Sequence, residues 1–474
     1  MIVIDFKKNA EEKNYWRKKN KFYYESLENL FKNLIPANAS VLEVGCAEGD
    51  SLHVIGNKDV AGFDFNPYHI QNAKEKYPSI KFYCLDAEAP DFNEKAKEIN
   101  QKFDFIILCD LIGTLNDIQN VFERLKVFCH SRTKVIVTYR NYFWNPVLKA
   151  AESLGLKMKE GEQNWLYIHE IKNLLYLAGF DVVRTGSMIL MPLKIPFITS
   201  FINKYFSKLP LIKRLCLTGF VIANNDISEV KGSSDYKVTV LVPARNEEGN
   251  IDNIVKLIPQ MGSGTEIVFV EGNSSDNTYQ KIEEVIKQNP DKDIKLFKQP
   301  GKGKGDAVRK GFENATGDIL LILDADLTVA PKDLPKFYDA LSTGKGEFIN
   351  GSRLVYQMHE KAMRSLNKAG NIFFSNVFSW LLEQRITDTL CGTKVLFKKD
   401  YLKIVENRKY FGDFDPFGDF DLLFGAAKLN LKIIEIPVRY GERTYGETNI
   451  SRFRDGMMLL RMCFFAMRKI KFNL

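Results

Sequence analysis

The stretch DILLILDADLTVAP, residues 318–331, decides the fold of the C-terminal half of this 474-residue chain. Its first part is an apolar run of the kind that forms a fully buried strand. The run ends in Asp324-Ala325-Asp326, and carboxylates at positions i and i+2 can direct oxygen ligands toward one hard divalent cation. A turn or cap role accounts for one such aspartate but poorly for two, because unpaired charge beside a buried strand is costly. The stretch therefore predicts a Mg²⁺ or Mn²⁺ site that neutralises a diphosphate.

Two predicted strands upstream also end in polar residues. The first is YKVTVLVPA (236–244), and the second lies in EIVFVEGNSSDNTY (266–279), which carries Glu271 and Asp276 at the strand end. Acceptors at these positions suit the N–H of a uracil or guanine ring and a ribose diol. The two strand ends therefore predict a nucleotide site.

A basic loop follows in QPGKGKGDAVRKGF (299–312), where Lys302 and Lys304 stand among glycines before a predicted helix. A basic loop beside a helix N-terminus suits a phosphate group. The spacing is not that of a Walker loop, which needs G-x4-GK[ST].

Together these motifs resemble the family-2 inverting glycosyltransferases of the GT-A type over about residues 236–450, most of all the dolichyl- and polyprenyl-phosphate mannose and glucose synthases. The resemblance implies six nucleotide contacts, at Pro243, Ala244, Asn246, Glu247, Glu271 and Asp276. It implies a metal pair at Asp324 and Asp326, and sugar- or acceptor-side residues at Arg353, Asp388, Lys394, Asp419, Asp421 and Arg443. Glu271-Gly272 stands where the family often has two aspartates, which leaves the choice of nucleotide open.

Negative charge develops on the diphosphate as it leaves, and this indicates roles for the basic residues and for the two further carboxylates. As the nucleotide leaves the anomeric carbon, the cation and Lys302 or Lys304 stabilise the growing negative charge. A polyprenyl phosphate acceptor is already ionised and needs only cations, for which the candidates are Arg353, Arg364, Lys394 and Arg443. A glycan hydroxyl would instead need a carboxylate base, Asp419 or Asp421. Both acceptor classes stay open.

The N-terminal half opens on a glycine-bearing strand end, VLEVGCAEGD (41–50). Small residues at Gly45, Ala47 and Gly49 let a ligand approach the main chain closely. A nicotinamide dehydrogenase also uses a glycine turn at this place. Its fingerprint needs three glycines, GxGxxG, which GCAEGD does not supply.

Acidic residues follow the next three predicted strands of this half. Asp64 stands 19 residues after Gly45, and Asp86 and Asp110 come after the third and fourth strands. In doubly wound folds the acid at the end of the second strand hydrogen-bonds ribose hydroxyls. Each acid alone is explained by a helix cap, but the ordered series favours a cofactor pocket.

These residues resemble the class I S-adenosylmethionine-dependent methyltransferases over roughly residues 20–222. The resemblance implies that Glu43, Gly45 and Gly49 hold the methionine end of S-adenosylmethionine. It places Asp64 at the ribose, Asp86 near the adenine and Asp110 near the sulfonium. Ala47 stands where the family commonly has glycine, and we expect it to be tolerated if its φ is negative. Five polar or aromatic residues are candidates for the acceptor side, Tyr139, Arg140, Asn141, Asn164 and Trp165.

Composition and patterning predict two doubly wound α/β domains (1–223 and 236–474) joined by a polar linker (224–235). The resemblances imply that the first is a Rossmann-like methyltransferase domain and the second a GT-A-type glycosyltransferase domain. Alternating strands and helices indicate parallel sheets covered by helices. Seven scattered cysteines without a CxxC pair argue against a disulfide framework and favour a reducing compartment. With no signal peptide or spanning segment, we expect a cytoplasmic protein.

Two stretches combine apolar and basic residues. Residues 188–222 hold five basic and no acidic residues, and residues 452–474 hold six basic residues against Asp455. Both suit a helix that rests on anionic lipid, and packing between the domains is the alternative. For the C-terminal tail we favour lipid. We therefore expect peripheral association with the inner face of the membrane.

The sequence thus favours a fusion of a methyltransferase-like domain with a glycosyltransferase that loads a sugar onto a polyprenyl phosphate. The expected partners are a nucleotide sugar, a lipid phosphate or glycan acceptor and an anionic membrane surface. The alternatives are a glycosyltransferase for cell-surface polysaccharide and a membrane scaffold built from two degenerate nucleotide folds. A net charge of +8 spread over the chain, without a basic–aromatic surface pattern, argues against nucleic acid as a partner.

Overall fold

The structure is a computed structural model, and its contacts divide the chain into two compact units. One unit is Met1–Asp226 with Lys471–Leu474, and the other is Ile227–Ile470. The structure describes residues 5–161, 163–225, 235–353, 365–406, 418–441, 443, 445 and 452–472. For residues 365–369, 371, 419 and 452–456 it describes the backbone alone. Most of the predicted linker lies outside the described residues, so the domain boundaries stay a prediction.

The N-terminal unit is built on a seven-stranded sheet in the order β3-β2-β1-β4-β5-β7-β6. Its strands are β1 (Val41–Val44), β2 (Val60–Asp64), β3 (Lys81–Cys84), β4 (Phe103–Leu108), β5 (Cys129–Arg140), β6 (Phe180–Met188) and β7 (Thr218–Asn225). Its helices are α1 (Phe6–Lys19), α2 (Lys21–Leu34), α3 (Asp50–Ile55), α4 (Pro67–Lys76), α5 (Phe92–Lys95), α6 (Ile118–Arg124), α7 (Asn145–Ser153), α8 (Ile168–Leu177) and α9 (Ile198–Tyr205).

Helices cover both faces of this sheet because its central strand is apolar on both sides. Successive residues of a strand point to opposite faces. Leu42 and Val44 of β1 pack in one core with Phe128, and Val41 packs in the other core with Phe31 of α2. The α/β layering predicted from the sequence is therefore confirmed for this unit.

The C-terminal unit has a second seven-stranded sheet, in the order β10-β9-β8-β11-β13-β12-β14. Its strands are β8 (Lys237–Ala244), β9 (Gly264–Glu271), β10 (Asp293–Lys298), β11 (Ile319–Ile322), β12 (Phe348–Ser352), β13 (Lys394–Phe397) and β14 (Ile433–Pro437). Its helices are α10 (Ile251–Leu257), α11 (Thr278–Gln288), α12 (Lys304–Asn314), α13 (Leu334–Ser342), α14 (Ser365–Leu382), α15 (Lys398–Glu406), α16 (Asp419–Lys428) and α17 (Arg452–Ala466). All four residues of β11 are buried, as its apolar run predicts.

The expectation of purely parallel sheets is wrong for one strand in each unit. Strands β1 to β5 pair in parallel, but β7 is antiparallel to β5 and to β6. Strands β8 to β11 pair in parallel, but β13 is antiparallel to β11 and to β12. A helix stands between β6 and β7 and between β12 and β13, as it does in a parallel crossover, so the helix–strand alternation does not reveal the antiparallel strands.

The C-terminal tail departs from the lipid-facing helix that we favoured from its sequence. Four apolar side chains of α17 lie in the core of the C-terminal unit, Leu459, Met462, Cys463 and Ala466. They share that core with Phe378 of α14. Three apolar side chains of the helix are exposed, Met457, Leu460 and Phe464. One face of the tail helix is thus packed in the fold. The sequence does not distinguish this from a lipid-facing helix, because both have the same apolar period.

Candidate functional site

Parallel pairing brings the predicted site residues of the C-terminal unit to one edge of the sheet. β8 ends at Ala244, β9 ends at Glu271, and β11 leads directly to Asp324. The N–H of Gly272 donates to the carbonyl of Ala244 at 2.9 Å, so pairing of β8 and β9 extends to their last residues. Ligands in open α/β sheets bind outside the carboxyl ends of the strands, where these residues lie.

The two turns predicted to contact a nucleotide are bonded to each other. Asn246 has a φ of +56°, and its N–H donates to Ser274 Oγ at 3.0 Å. Its side-chain Oδ1 accepts from the N–H of Ser275 at 2.8 Å. Glu271 in turn accepts from the N–H of Ser274 at 2.5 Å. These bonds fix the turns after β8 and β9 as one unit.

A cleft of about 280 Å³ opens at the end of β9. Two predicted nucleotide contacts, Glu271 and Asp276, line it together with Tyr279 and Lys298. The Nζ of Lys298 lies 4.2 Å from the centroid of the Tyr279 ring. Asp276 also accepts from the N–H of Thr278 at 3.0 Å, which caps the start of α11. The cleft offers carboxylate acceptors and an aromatic face.

Each aspartate of the predicted metal pair contacts a different basic side chain. Lys304 Nζ lies 2.6 Å from Asp324 Oδ1, and Arg443 Nη2 lies 2.7 Å from Asp326 Oδ2. The other oxygen of Asp326 accepts from the N–H of Thr328 at 3.1 Å and from its hydroxyl at 2.8 Å. The negative charge of the pair is thus balanced by long side chains from α12 and from the segment after β14.

Local electrostatics keep Asp324 ionised. Burial pushes its pKa upward, but Lys304, with further help from Lys394 and Arg353, holds the pKa of Asp324 below its ordinary value. Burial raises the pKa of Glu247, whose Oε1 lies 3.6 Å from Arg443 Nη1. The edge therefore combines an ionised acid with several cations.

Gly392 leaves room for this arrangement. A Cβ at this residue would lie 1.9 Å from Asp324 Oδ2 and 2.6 Å from Lys304 Nζ. Any side chain here would displace the ion pair, so only glycine fits.

On the predicted acceptor side, Arg353 is held by a fully buried carboxylate. Its Nε and Nη2 donate to the two oxygens of Asp388 at 2.7 and 2.8 Å. Glu435 of β14 fixes that segment, because it accepts from the N–H groups of Thr387 at 2.9 Å and Asp388 at 3.1 Å. The side chain of Asp388 has no exposed surface, so it acts on Arg353. Burial lowers and the Asp388 carboxylate raises the pKa of Arg353, with a net increase.

The remaining predicted residues of this unit are placed unequally. Lys394 is fully buried, and its Nζ donates to the carbonyl of Cys391 at 2.6 Å. Lys302 is exposed on its loop, and Asp421 is buried in α16. Arg364 and the side chain of Asp419 lie outside what the structure describes. Pro243 and Ala244 are the last residues of β8, next to the turn of Asn246.

The glycine turn of the N-terminal unit has a left-handed backbone at three small residues. Gly45 and Gly49 have φ values of +72° and +76°. Ala47 has a φ of +47°, so the negative φ that would make this alanine tolerable is not present. The turn keeps the shape that glycine adopts without strain, and the alanine bears the steric cost.

Two acids lie beneath this turn. Asp64 accepts from the N–H of Ala47 at 3.0 Å and from that of Asn66 at 2.9 Å. Glu43 is buried, and its Oε2 has no hydrogen-bond partner among the described residues. Burial raises the pKa of Glu43 to about 8, although Arg17 opposes this shift. Asp64 shapes the turn, while Glu43 holds an unused acceptor.

The other two predicted cofactor residues differ in exposure. Asp86 is exposed after β3, where it accepts from the N–H of Glu88 at 2.9 Å. Asp110 has a φ of +51° and accepts from the Tyr23 hydroxyl at 2.5 Å and from the Thr138 hydroxyl at 2.9 Å. A cavity of about 20 Å³ beside Asp110 is lined by four of the five candidates for the acceptor side, Tyr139, Arg140, Asn164 and Trp165. The fifth, Asn141, does not line it, and its amide donates to the carbonyls of Arg214 at 2.8 Å and Cys216 at 3.0 Å.

Several contributors to both edges carry no signal in the sequence. Tyr23 comes from α2, and Arg17 of α1 lies 2.9 Å from Asp50 just after the glycine turn. Glu435 follows Asp388 by 47 residues. Thr328 is the exception, since a threonine two residues after an aspartate is a recognised turn signal.

Each of the two α/β units contains a region that matches a family model. Residues 239–405 match the family model described as glycosyl transferase family 2, and residues 15–185 match the model of a methyltransferase domain. The chain therefore carries a family-2 glycosyltransferase domain after a methyltransferase domain.

Two curated relatives each match somewhat less than half of the chain. A dolichol-phosphate mannosyltransferase from Pyrococcus furiosus is 30% identical over 220 residues, which are 45% of this chain and 59% of that protein. The chain thus spans less than two thirds of that relative. A UDP-N-acetylglucosamine–dolichyl-phosphate N-acetylglucosaminyltransferase from Methanococcus voltae is 28% identical over 239 residues, 48% of this chain and 92% of that protein.

Two solved structures are similar to parts of the chain. A SAM-dependent methyltransferase from Thermotoga maritima has 14% identity and a TM-score of 0.36, with 47% of this chain and 98% of that one covered. Glucosyl-3-phosphoglycerate synthase from Mycobacterium tuberculosis, in complex with Mn²⁺ and UDP, has 16% identity and a TM-score of 0.37, with 50% and 80% covered.

Proposed function

We propose that the C-terminal unit transfers a sugar from a nucleotide sugar to a polyprenyl phosphate of the dolichyl type, with inversion at the anomeric carbon. The carboxylate pair Asp324 and Asp326 at the end of β11 carries this proposal. Four basic residues act on that pair, Lys304, Arg353, Lys394 and Arg443. The names of two relatives, which describe transfer to dolichol phosphate or dolichyl phosphate, support the acceptor.

The donor set fits a divalent cation, Mg²⁺ or Mn²⁺. Mg²⁺ is usually bound through one or two carboxylates together with substrate phosphates. In the part of the chain that the structure describes, no group of three or more His, Cys, Asp or Glu forms a complete metal cage. Asp324 and Asp326 would hold the ion, and the diphosphate would supply further oxygens. When bound, the ion would neutralise the negative charge that develops on the leaving diphosphate.

The basic residues have two roles in the proposed reaction. Lys304 and Lys302 stand at the start of α12, where their charge stabilises the departing diphosphate. Arg353 positions the acceptor phosphate, which is ionised at neutral pH and needs no general base, whereas the fully buried Lys394 acts through Asp324. The bidentate contact with Asp388 keeps the Arg353 guanidinium in one orientation.

For the N-terminal unit we propose binding of S-adenosylmethionine, which supplies a methyl group when bound. The fit rests on the buried Oε2 of Glu43, since an ammonium group at the methionine end would give this acceptor a partner. Gly45 and Gly49 allow close approach to the main chain, and Asp64 keeps lone pairs for ribose hydroxyls. Asp86 and Asp110 would lie toward the adenine and the sulfonium.

A polyprenyl phosphate acceptor places the proposed reaction at a membrane. We propose that the protein works at the inner, cytoplasmic face, attached peripherally to anionic lipid. Across the described ranges, the helices are too short or too polar to cross a bilayer.

The proposal is tested by incubating the full chain with a panel of nucleotide sugars, Mg²⁺ or Mn²⁺ and polyprenyl phosphate in detergent, with lipid-linked sugar measured by mass spectrometry. We expect product, and a loss of about 100-fold in Asp326→Asn because the leaving group loses its counter-ion site. Asp318→Asn is the matched control, since this exposed aspartate precedes the same strand at its other end.

Two further variants separate the acceptor classes. Arg353→Lys should reduce transfer to the lipid phosphate, because lysine cannot reproduce the bidentate contact with Asp388. Asp421→Asn should leave that transfer nearly unchanged. Sugar transfer only to glycan hydroxyls, abolished in Asp421→Asn, would replace the lipid phosphate by the second acceptor class.

A further inference from the structure

The insertion between β6 and β7 of the N-terminal unit, residues 189–217, has an apolar outer surface. It contains α9 and two short 3₁₀ turns. Phe197 is 90% exposed and Leu211 is 79% exposed. Four more apolar side chains are at least half exposed, Leu193, Ile198, Phe201 and Leu215. Scattered exposed apolar residues are ordinary, but a dense cluster of this kind marks an interaction surface.

Two uncharged polar side chains of the same insertion, Thr199 and Asn203, bond its own backbone. The buried Thr199 hydroxyl donates to the carbonyl of Leu193 at 2.5 Å and accepts from the N–H of Ile195 at 2.9 Å. The Asn203 amide bonds both the N–H and the carbonyl of Met191 at 2.8 Å. The backbone is thus satisfied from within while the apolar groups face out, which is the reverse of a water-facing loop. Contact with an apolar phase requires this arrangement.

The charge of the insertion has one sign. Residues 188–222 contain no aspartate or glutamate, although acids make up 59 of the 474 residues of the chain. Lys194, Lys204 and Arg214 are exposed beside the apolar side chains. Basic residues with long apolar stems are suited to a boundary between lipid tails and anionic headgroups.

Phe197 holds the tip of the insertion in an unusual backbone conformation. Its φ is +62°, in the left-handed region that a bulky residue rarely adopts. The N–H of Phe201 donates to its carbonyl at 3.0 Å, so α9 begins directly after it. The strained backbone turns the ring outward at the start of the helix.

We infer that the β6–β7 insertion enters the headgroup region of an anionic lipid bilayer, with Phe197 and Leu193 inserted and the basic residues at the headgroups. The partner is lipid because the surface pairs apolar groups with uncompensated positive charge. The inference deepens the proposed membrane location and assigns it to the methyltransferase unit.

Vesicle binding tests this assignment with the full chain. We expect co-sedimentation with vesicles of equal parts phosphatidylcholine and phosphatidylglycerol, and little with phosphatidylcholine alone. Phe197→Ser should weaken binding about tenfold. Lys204→Glu should weaken it about fivefold or more. Tyr176→Ser is the matched control, since this aromatic ring is 76% exposed on α8 of the same unit.

The depth of the tip is measured separately with Phe197→Trp. We expect brominated phosphatidylcholine in the mixed vesicles to quench the introduced indole beyond the quenching of the wild-type protein. Equal vesicle binding of wild type and Phe197→Ser, or an unquenched indole, would overturn the inference. So would a dimer in sedimentation that Phe197→Ser dissociates while vesicles fail to bind, because the surface would then cover a second copy of the chain.

The vesicle assay is independent of the proposed reaction. Sugar transfer to polyprenyl phosphate in detergent tests the reaction without a bilayer. A protein that binds vesicles through the insertion but makes no lipid-linked sugar keeps the inference and loses the proposed function, and the converse result does the opposite.

Discussion

The acids at the two sheet edges differ in what they contact. In the N-terminal unit Asp64 accepts from the backbone N–H groups of Ala47 and Asn66. In the C-terminal unit Asp324 contacts the side chain of Lys304. A backbone amide cannot leave without remodelling its turn, whereas a long side chain can move aside for a cation. The partner of an acid, more than its place at a strand end, separates a carboxylate that is held by its own turn from one that can exchange a side-chain partner for a cation.

The space beside the acids differs in the same sense. A cavity of about 20 Å³ adjoins Asp110, while a cleft of about 280 Å³ opens beside Glu271. In the N-terminal unit, a Cβ on Gly45 would meet the side chain of Leu111 at 2.9 Å, so apolar groups already lie against the glycine turn. The cleft beside Glu271 is therefore more open than the cavity beside Asp110.

The largest effect on stability is expected from Asp388→Asn, which tests whether the buried Asp388 carboxylate stabilises the fold by neutralising Arg353. Arg353 would keep its burial and lose its counter-ion, which costs about 3–5 kcal/mol in such pairs. The free energy of unfolding, followed in denaturant, measures this loss. Asp252→Asn should cost less than about 1 kcal/mol, because its pair with Lys281 is exposed. Similar values for both variants would contradict the structural role of Asp388.

Gly392→Ala tests whether sugar transfer depends on the position of Asp324 and Lys304 at the C-terminal edge. The added Cβ would overlap the carboxylate of Asp324 and displace Lys304, so we expect sugar transfer to fall about 100-fold. Gly370→Ala in α14 is the control, since a Cβ there meets nothing within 4 Å. Full activity in Gly392→Ala would show that the position of Asp324 is unimportant for transfer.

Because of Glu43, the stability of the N-terminal unit against unfolding is expected to depend on pH. Its pKa rises to about 8 on folding, so the folded state binds the proton more tightly than the unfolded state. The stabilisation is complete below about pH 4.5 and is lost as the pH rises toward 8. Glu43→Gln should remove this loss and stabilise the protein at pH 8 by about 2 kcal/mol. Thermal unfolding at pH 5 and pH 8 measures it, with the exposed Glu11→Gln as control.

The smallest effect is expected from Ala47→Gly in the glycine turn. The free energy gained by removing the strain of the positive φ should exceed the entropy cost of glycine. The net effect should stabilise the protein by about 0.5 kcal/mol. Ala151→Gly, within α7, should destabilise by about 1 kcal/mol. Thermal unfolding that shows the same sign for both variants would contradict the left-handed conformation of Ala47.

The strand ends and the acids that follow them were predictable, because apolar runs and small residues in the sequence indicate them directly. The apolar run before Asp324 forms a buried strand, and Gly45 and Gly49 have the positive φ that small residues permit. The resemblance to the two families predicted the α/β layering and both domain types.

Partners distant in the sequence were not predictable. Asp388 reads as a substrate contact until its burial against Arg353 is known, and Tyr23 reaches Asp110 from 87 residues away. The core packing of one face of the tail helix α17 was not predicted, because a basic, apolar helix has one pattern for lipid and for a core. In each case the information lies in tertiary packing, which a local pattern does not contain.

The most direct test of the central claim is a titration of the full chain with Mn²⁺ and a nucleoside diphosphate, followed by electron paramagnetic resonance of the free ion. The carboxylate pair predicts one tightly bound Mn²⁺ per chain, lost in the double variant Asp324→Asn, Asp326→Asn and kept in Asp318→Asn. Binding of Mn²⁺ that is unchanged in the double variant would contradict the claim that these two aspartates hold the ion.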